Sequence, residues 1–147
     1  MTMFELLKLI LTTVIPIIGW WFGWWVANNN FKKQRYDKVK ENILLEIKNL
    51  KNISVSHYTK RDNSPVYVLQ SFKELTNFLV EEHFIIDENS QLTPAWREFR
   101  IAATKHIDND IIYKHDSKEI DKVLITYNHL HKQLLKHKFN SRKKRAS

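Results

Sequence analysis

The residues of this 147-residue chain that could hold a metal or move a proton are seven histidines and sixteen carboxylates. The tightest grouping is His115-Asp116, with His83 and His106 upstream and Asp121 downstream. A catalytic metal needs three or more ligands converging on one point. Asp121 follows Asp116 too closely to arrive from a separate helix, and His115 falls in an expected loop. His129 and His131 stand about 200° apart around a helix and cannot share a metal from one face. Nucleophilic chemistry has no better footing. There is no cysteine, no serine in a glycine-flanked elbow and no phosphate-cradling loop. The expectation is a protein with no catalytic residues, no metal and no cofactor, its histidines standing in solvent or at helix ends.

Two short resemblances run against or beside that reading. His115-Asp116, with His83 and His106 upstream and Asp121 downstream, resembles helical metal-dependent phosphohydrolases, which implies a metal-dependent hydrolase as a rival function. FIIDENSQLTPAWREF resembles the last strand and following helix of winged-helix domains, which implies a nucleic-acid-binding fold over that stretch. The glycine usual after the Leu-Thr step is missing there, and no base-reading signature accompanies it.

The elements that would have to position such residues are better defined. Leu9 to Ala27, LILTTVIPIIGWWFGWWVA, is nineteen residues without a formal charge. As a helix it measures about 28 Å, close to the roughly 30 Å hydrocarbon core of a bilayer. A secretory signal wants a basic start, a shorter apolar core and small residues at its exit. Here Lys8 is offset by Glu5, and tryptophan stands where a small residue is needed. The run therefore reads as an uncleaved transmembrane helix.

Trp20, Trp21, Trp24 and Trp25 gather at its C-terminal end, where an apolar ring with a polar N–H suits the membrane–water interface. Beyond Asn28-Asn29-Asn30, the segment FKKQRYDKVK holds Lys32, Lys33, Arg35, Lys38 and Lys40 against Asp37, whereas Lys8 is the one basic side chain before the run. The positive-inside bias then places the N-terminus outside and the C-terminal side in the cytoplasm of a single-pass inner-membrane protein. The absence of cysteine fits a body that stays in a reducing compartment. Gly19 and Gly23, the two glycines of the chain, form with Ala27 a small-xxx-small stripe of the kind that lets two helices approach in lipid, which permits a homo-oligomer. Pro16 should disturb the helix, with the Thr12 and Thr13 hydroxyls taking up freed carbonyls.

Glycine is missing after Gly23, which argues against hairpin-rich sheets and predicts an all-α body. Tyr36, Val39, Ile43, Ile47 and Leu50 mark an amphipathic helix continuing from the anchor, followed by SVSHYTKRDNS as a polar connection. Ser64-Pro65 opens a second helix with Leu69, Phe72, Leu75, Thr76 and Leu79 on one side. HFIID reads as extended and ENSQ as a turn. Thr93-Pro94 caps a third helix bearing Trp96, Phe99, Ala102 and Ala103. Asp116-Ser117 caps a fourth with Ile120, Val123, Leu124, Tyr127, Leu134 and Leu135. The expected organisation is a flank over 1–8, a transmembrane helix over 9–27, a small cytoplasmic helical bundle over 28–138 and a basic, disordered tail over 139–147.

Charge is uneven along the chain. Lys122 to Ser147 contains eight Lys or Arg and no acid, whereas residues 41–121 hold ten basic and fourteen acidic side chains. Beside an anionic leaflet each basic residue gains on the order of 1 kcal/mol. Lys32, Lys33, Arg35, Arg142, Lys143, Lys144 and Arg145 are therefore expected to contact lipid headgroups. Nucleic acid is disfavoured as a partner, because no aromatic is interleaved with Arg142 to Arg145 to stack on bases.

Lysine, isoleucine and asparagine are abundant and alanine and glycine scarce, as AT-rich coding sequence produces. Small accessory genes of mobile elements share this composition, as do ordinary genes of AT-rich genomes. The expected function is a non-enzymatic accessory protein that acts by self-association or by binding a cytoplasmic protein, such as an antiviral defence effector, an immunity factor or an exclusion factor. The alternative is a structural adaptor holding a partner at the membrane.

Overall fold

The computed structural model of the chain describes residues 2–82, 84, 91–108 and 110–138. Among these all regular structure is helical and no strand occurs. The chain forms two compact units, one ending at Val39 and the other beginning at Lys40. Helix α1 (Met3–Leu9), a π-turn (Ile10–Val14) and α2 (Ile15–Lys60) follow one another without a break; α3 (Pro65–Glu81), α4 (Leu92–Thr104) and α5 (Lys118–Lys136) complete the second unit.

In the first unit, α1 starts on a reciprocal cap. The Thr2 hydroxyl accepts from the Glu5 N–H, and the Glu5 carboxylate accepts from the Thr2 N–H. Pro16 has no N–H to donate, and its ring would collide with the carbonyl four residues back. The backbone answers with the wider π-turn just before it. There the Thr12 hydroxyl donates to Lys8 O at 2.8 Å and the Thr13 hydroxyl donates to Leu9 O, as the sequence suggests.

In the second unit, α2 turns Ile43, Ile47, Leu50, Ser54, His57 and Tyr58 inward. It does not end before Ser54 as the polar run SVSHYTK suggests but continues to Lys60, because the stripe keeps its three- and four-residue spacing while its chemistry turns polar. α3 opens as expected, with Pro65 in the first position and the Ser64 hydroxyl accepting from Tyr67 N–H. It buries Val68, Phe72, Leu75 and Leu79 and leaves Leu69 exposed. α4 starts at Leu92, so Thr93 and Pro94 lie inside its first turn rather than capping it; Leu92 is buried, and the earlier start brings it into the core. Proline is tolerated there because first-turn N–H groups have no partner within the helix. α5 is capped by Ser117, whose hydroxyl accepts from Ile120 N–H; it buries Leu130 and Leu134 on the stripe of Ile120 and Val123, whereas Leu135, expected on the apolar face, lies off that stripe and is exposed.

The core gathers around an aromatic cluster in which the Phe72 ring lies 5.9 Å from Trp96 and 5.6 Å from Phe99. α4 and α5 pack most closely, with the small buried side chains Ala95, Ala102 and Ala103 giving their backbones room. HFIID and ENSQ lie outside the described residues except for Phe84, which is buried, and Gln91.

Lys40, counted in the sequence with the basic flank, is drawn to the end of α5, where its ammonium donates to Leu135 O at 3.1 Å and His137 O at 2.7 Å. A cation on the last carbonyls of a helix offsets the negative end of its dipole. Lys40→Met should lower stability by about 1 kcal/mol in urea titration of the detergent-solubilised chain. The exposed Lys38→Met is the matched control and should leave the midpoint unchanged.

Candidate functional site

The residues weighed as candidate metal ligands are not brought together among the described residues. His115 and Asp116 occupy an exposed turn ahead of α5, and Asp121 is exposed in its first turn. The half-buried His106 has its ring 5.9 Å from that of Tyr113, and the His131 ring lies 5.9 Å from that of Tyr127. His129 is exposed, and His83 lies outside the described residues. Among the described residues no group of three or more His, Cys, Asp or Glu is placed to hold a metal ion.

The histidine that matters structurally is His57, which sequence reading left in a polar connection and the fold buries. Its Nδ1 lies 2.6 Å from Asn63 O; its Nε2 lies 2.8 Å from the Arg61 guanidinium and 3.0 Å from Ile107 O. A guanidinium only donates, so Nε2 accepts from Arg61 and Nδ1 carries the proton given to Asn63. Both ring nitrogens are thereby engaged, which makes His57 a cross-link rather than a base aimed at a substrate. Arg61 adopts a left-handed backbone at φ 57°, closes α2 through its N–H to His57 O, and donates from its side chain to Ile107 O and Ile111 O. Tyr58 completes the cluster. Its hydroxyl donates to Ala103 O at 2.6 Å and accepts from His106 N–H, while its carbonyl accepts from Tyr113 N–H at 2.9 Å. The ends of α2 and α4 and the connection between α4 and α5 are thus fastened by polar groups.

Two surfaces remain as places for a partner. In the second unit an open groove of about 760 Å³ runs between α2 and α3, with Leu50, Ile53, Leu75 and Phe78 among its apolar lining and Glu46 and Glu74 among its polar residues. In the first unit every residue of the apolar run from Leu9 to Trp25 is exposed. At about 100° per residue, Gly19, Gly23 and Ala27 share an arc of about 80°, and the four tryptophans take the adjoining arc of about 140°, Trp20 standing about 20° from Ala27. A side chain built on either glycine meets nothing within 4 Å, and neither glycine has a positive φ. Lys32, Lys33 and Arg35 are exposed, whereas Arg142, Lys143, Lys144 and Arg145 lie outside the described residues.

No family model matches the chain, and neither curated proteins nor solved structures give a match. Its function has to be argued from these surfaces.

The Tyr58 hydroxyl is held protonated above its ordinary value near 10, chiefly by burial, which outweighs the lowering effect of its bond to the His106 backbone; Tyr113 raises it further and Arg61 lowers it. Above pH 10 the unfolded chain therefore loses this proton before the folded one does. The stabilisation is complete below pH 10 and declines as pH rises through the folded-state value. Burial raises Tyr127 as well, so the comparison needs a variant. Tyr58→Phe should cost about 1–3 kcal/mol near neutral pH, because it orphans Ala103 O and His106 N–H. Between about pH 9 and 11 it should lose less further stability than the parent, as read by urea midpoints.

Proposed function

We propose that this chain is a single-pass inner-membrane protein, N-terminus outside, whose cytoplasmic helical domain acts without catalysis, by self-association or by binding another protein. The observation that carries this reading is the apolar helix near the N-terminus, which is long enough to cross a bilayer and none of whose span is buried within the chain. Such a surface is costly in water and at home in hydrocarbon. Orientation rests on the basic residues Lys32, Lys33 and Arg35 after the run against Lys8 before it.

Self-association through Gly19, Gly23 and Ala27 is supported by the space around the glycines. Nothing in the chain itself requires them to lack a side chain, and glycine in a helix interior costs about 1 kcal/mol relative to alanine. Close approach of a second helix supplies a reason. The biological class we favour is an accessory factor of a mobile genetic element, a defence effector, immunity factor or exclusion factor, in keeping with the lysine-, isoleucine- and asparagine-rich composition. A structural adaptor is the second reading, favoured by the open groove between α2 and α3, which offers an apolar floor to a cytoplasmic protein.

Gly19→Ile with Gly23→Ile should abolish self-association in a membrane two-hybrid assay while leaving insertion intact, since both changes raise apolarity. If the protein is an effector, the same pair should relieve the growth arrest or depolarisation caused by overexpression. His115→Ala with Asp116→Ala should keep both signals. An adaptor would show no toxicity to relieve. Orientation is tested separately: a cytoplasm-dependent reporter fused after Ser147 should be active, and activity of a periplasm-dependent one at that position would reverse the topology.

A further inference from the structure

α5 turns Ile120, Val123, Leu130 and Leu134 into the core. Its opposite side carries Lys118, Lys122, Ile125, His129, Lys132 and Lys136, all exposed. At about 100° per residue these six fall within an arc of about 80°. Asp121, at the edge of that arc, is the one exposed carboxylate of the helix. At its N-terminal end the stripe meets the end of α4, where Ala102 and, just past the helix, Lys105 and His106 line a cleft together with Lys118, Glu119 and Lys122.

The other helices of this unit mix both signs outside. From residue 41 to the end of α2 the exposed charges are Glu41, Glu46, Lys48 and Lys60, on α3 they are Lys73, Glu74 and Glu81, and on α4 they are Arg97, Glu98 and Arg100. A face shaped only for solubility mixes both signs. On α5, Lys118 with Lys122 and Lys132 with Lys136 are instead like-charge pairs four residues apart, a spacing that destabilises a helix. The face carries no Phe, Tyr or Trp on which a base could stack, and no arginine for bidentate recognition. Flexible point charges without a reading geometry suit a diffuse array of phosphates.

We propose that the exposed face of α5, extended by Lys105, is a docking surface for the anionic phospholipid headgroups of the bilayer. This rests on the reading that Leu9 to Ala27 crosses that bilayer and so tethers the second unit near its surface. Each lysine in contact strengthens the association about fivefold.

The chain has no cysteine, so Ile125→Cys places one environment-sensitive dye in the middle of the face. The full-length labelled chain is compared in nanodiscs of phosphatidylcholine alone and of phosphatidylcholine with phosphatidylserine. Phosphatidylserine should shield the dye from acrylamide, a neutral quencher, and high salt should abolish the shielding as the field is screened. A dye at Asn77→Cys, exposed on α3, should not respond.

Lys118→Gln, Lys122→Gln, Lys132→Gln and Lys136→Gln together should remove the shielding. Should that variant unfold by circular dichroism, the lipid and salt comparisons on the parent decide alone. Equal quenching in both lipids overturns the inference, as does shielding that survives the four substitutions in a folded chain. Shielding by duplex DNA or RNA without any response to phosphatidylserine overturns it in favour of a nucleic-acid partner. A chain that does not co-purify with nanodiscs at all refutes the spanning reading, and the inference with it.

Discussion

The stripe that α2 presents inward is the surface against which the second unit is built. Its first half, Ile43, Ile47 and Leu50, packs by exclusion of water, which is tolerant of angle and register. Its second half, Ser54, His57 and Tyr58, is polar and buried, and a buried polar group is stable only with its partners in place. His57 finds its partners in Asn63 O and the Arg61 side chain, and Tyr58 finds its own on backbone groups of residues 103, 106 and 113, while Arg61 holds Ile107 O, so the irregular connection after α4 acquires one definite path. Apolar burial holds the helices together, and the polar end selects how they are joined. Ser54 Oγ, Arg61 Nε and Trp96 Nε1 are buried without a partner among the described residues.

Much of the helical layout can be read from spacing and caps. Ser64-Pro65 and Ser117 mark helix starts because a side-chain oxygen is needed where the first N–H groups lack partners, and both positions do that work. Phe72, Leu75, Leu79, Trp96, Phe99, Ala102, Ala103, Ile120 and Val123 are buried as their periodicity demands. The errors share one cause. Hydropathy stands in for burial, so polar residues on the core stripe, Ser54, His57 and Tyr58, look like a loop in the sequence, and apolar residues just off it, Leu69 and Leu135, look like core. The buried role of His57 had one available signal, its place seven residues after Leu50 on the same stripe.

The functional surfaces were legible unevenly. Leu9 to Ala27, its glycines and its tryptophans are local features, and their arrangement around the helix follows from sequence separation alone. The groove between α2 and α3 and the cleft shared by Lys105, Lys118 and Lys122 arise from residues far apart in sequence, which no local pattern could bring together. Lys40 shows the same limit in reverse, since a residue counted as membrane-proximal charge is bound to the far end of α5.

The π-turn over Ile10–Val14 is more than an accommodation of Pro16. A π-turn holds one residue more than the α-turn it replaces, so every side chain before it is rotated by about 100° relative to those after it. Glu5 and Lys8 therefore do not share the azimuth that their spacing from Gly19 and Gly23 would give them in an uninterrupted helix. The turn works as a phase shifter, setting the direction of the charged N-terminal end independently of the small-residue face. Deleting one residue between Ile10 and Val14 would leave the run uncharged and apolar and still alter which way those charges point.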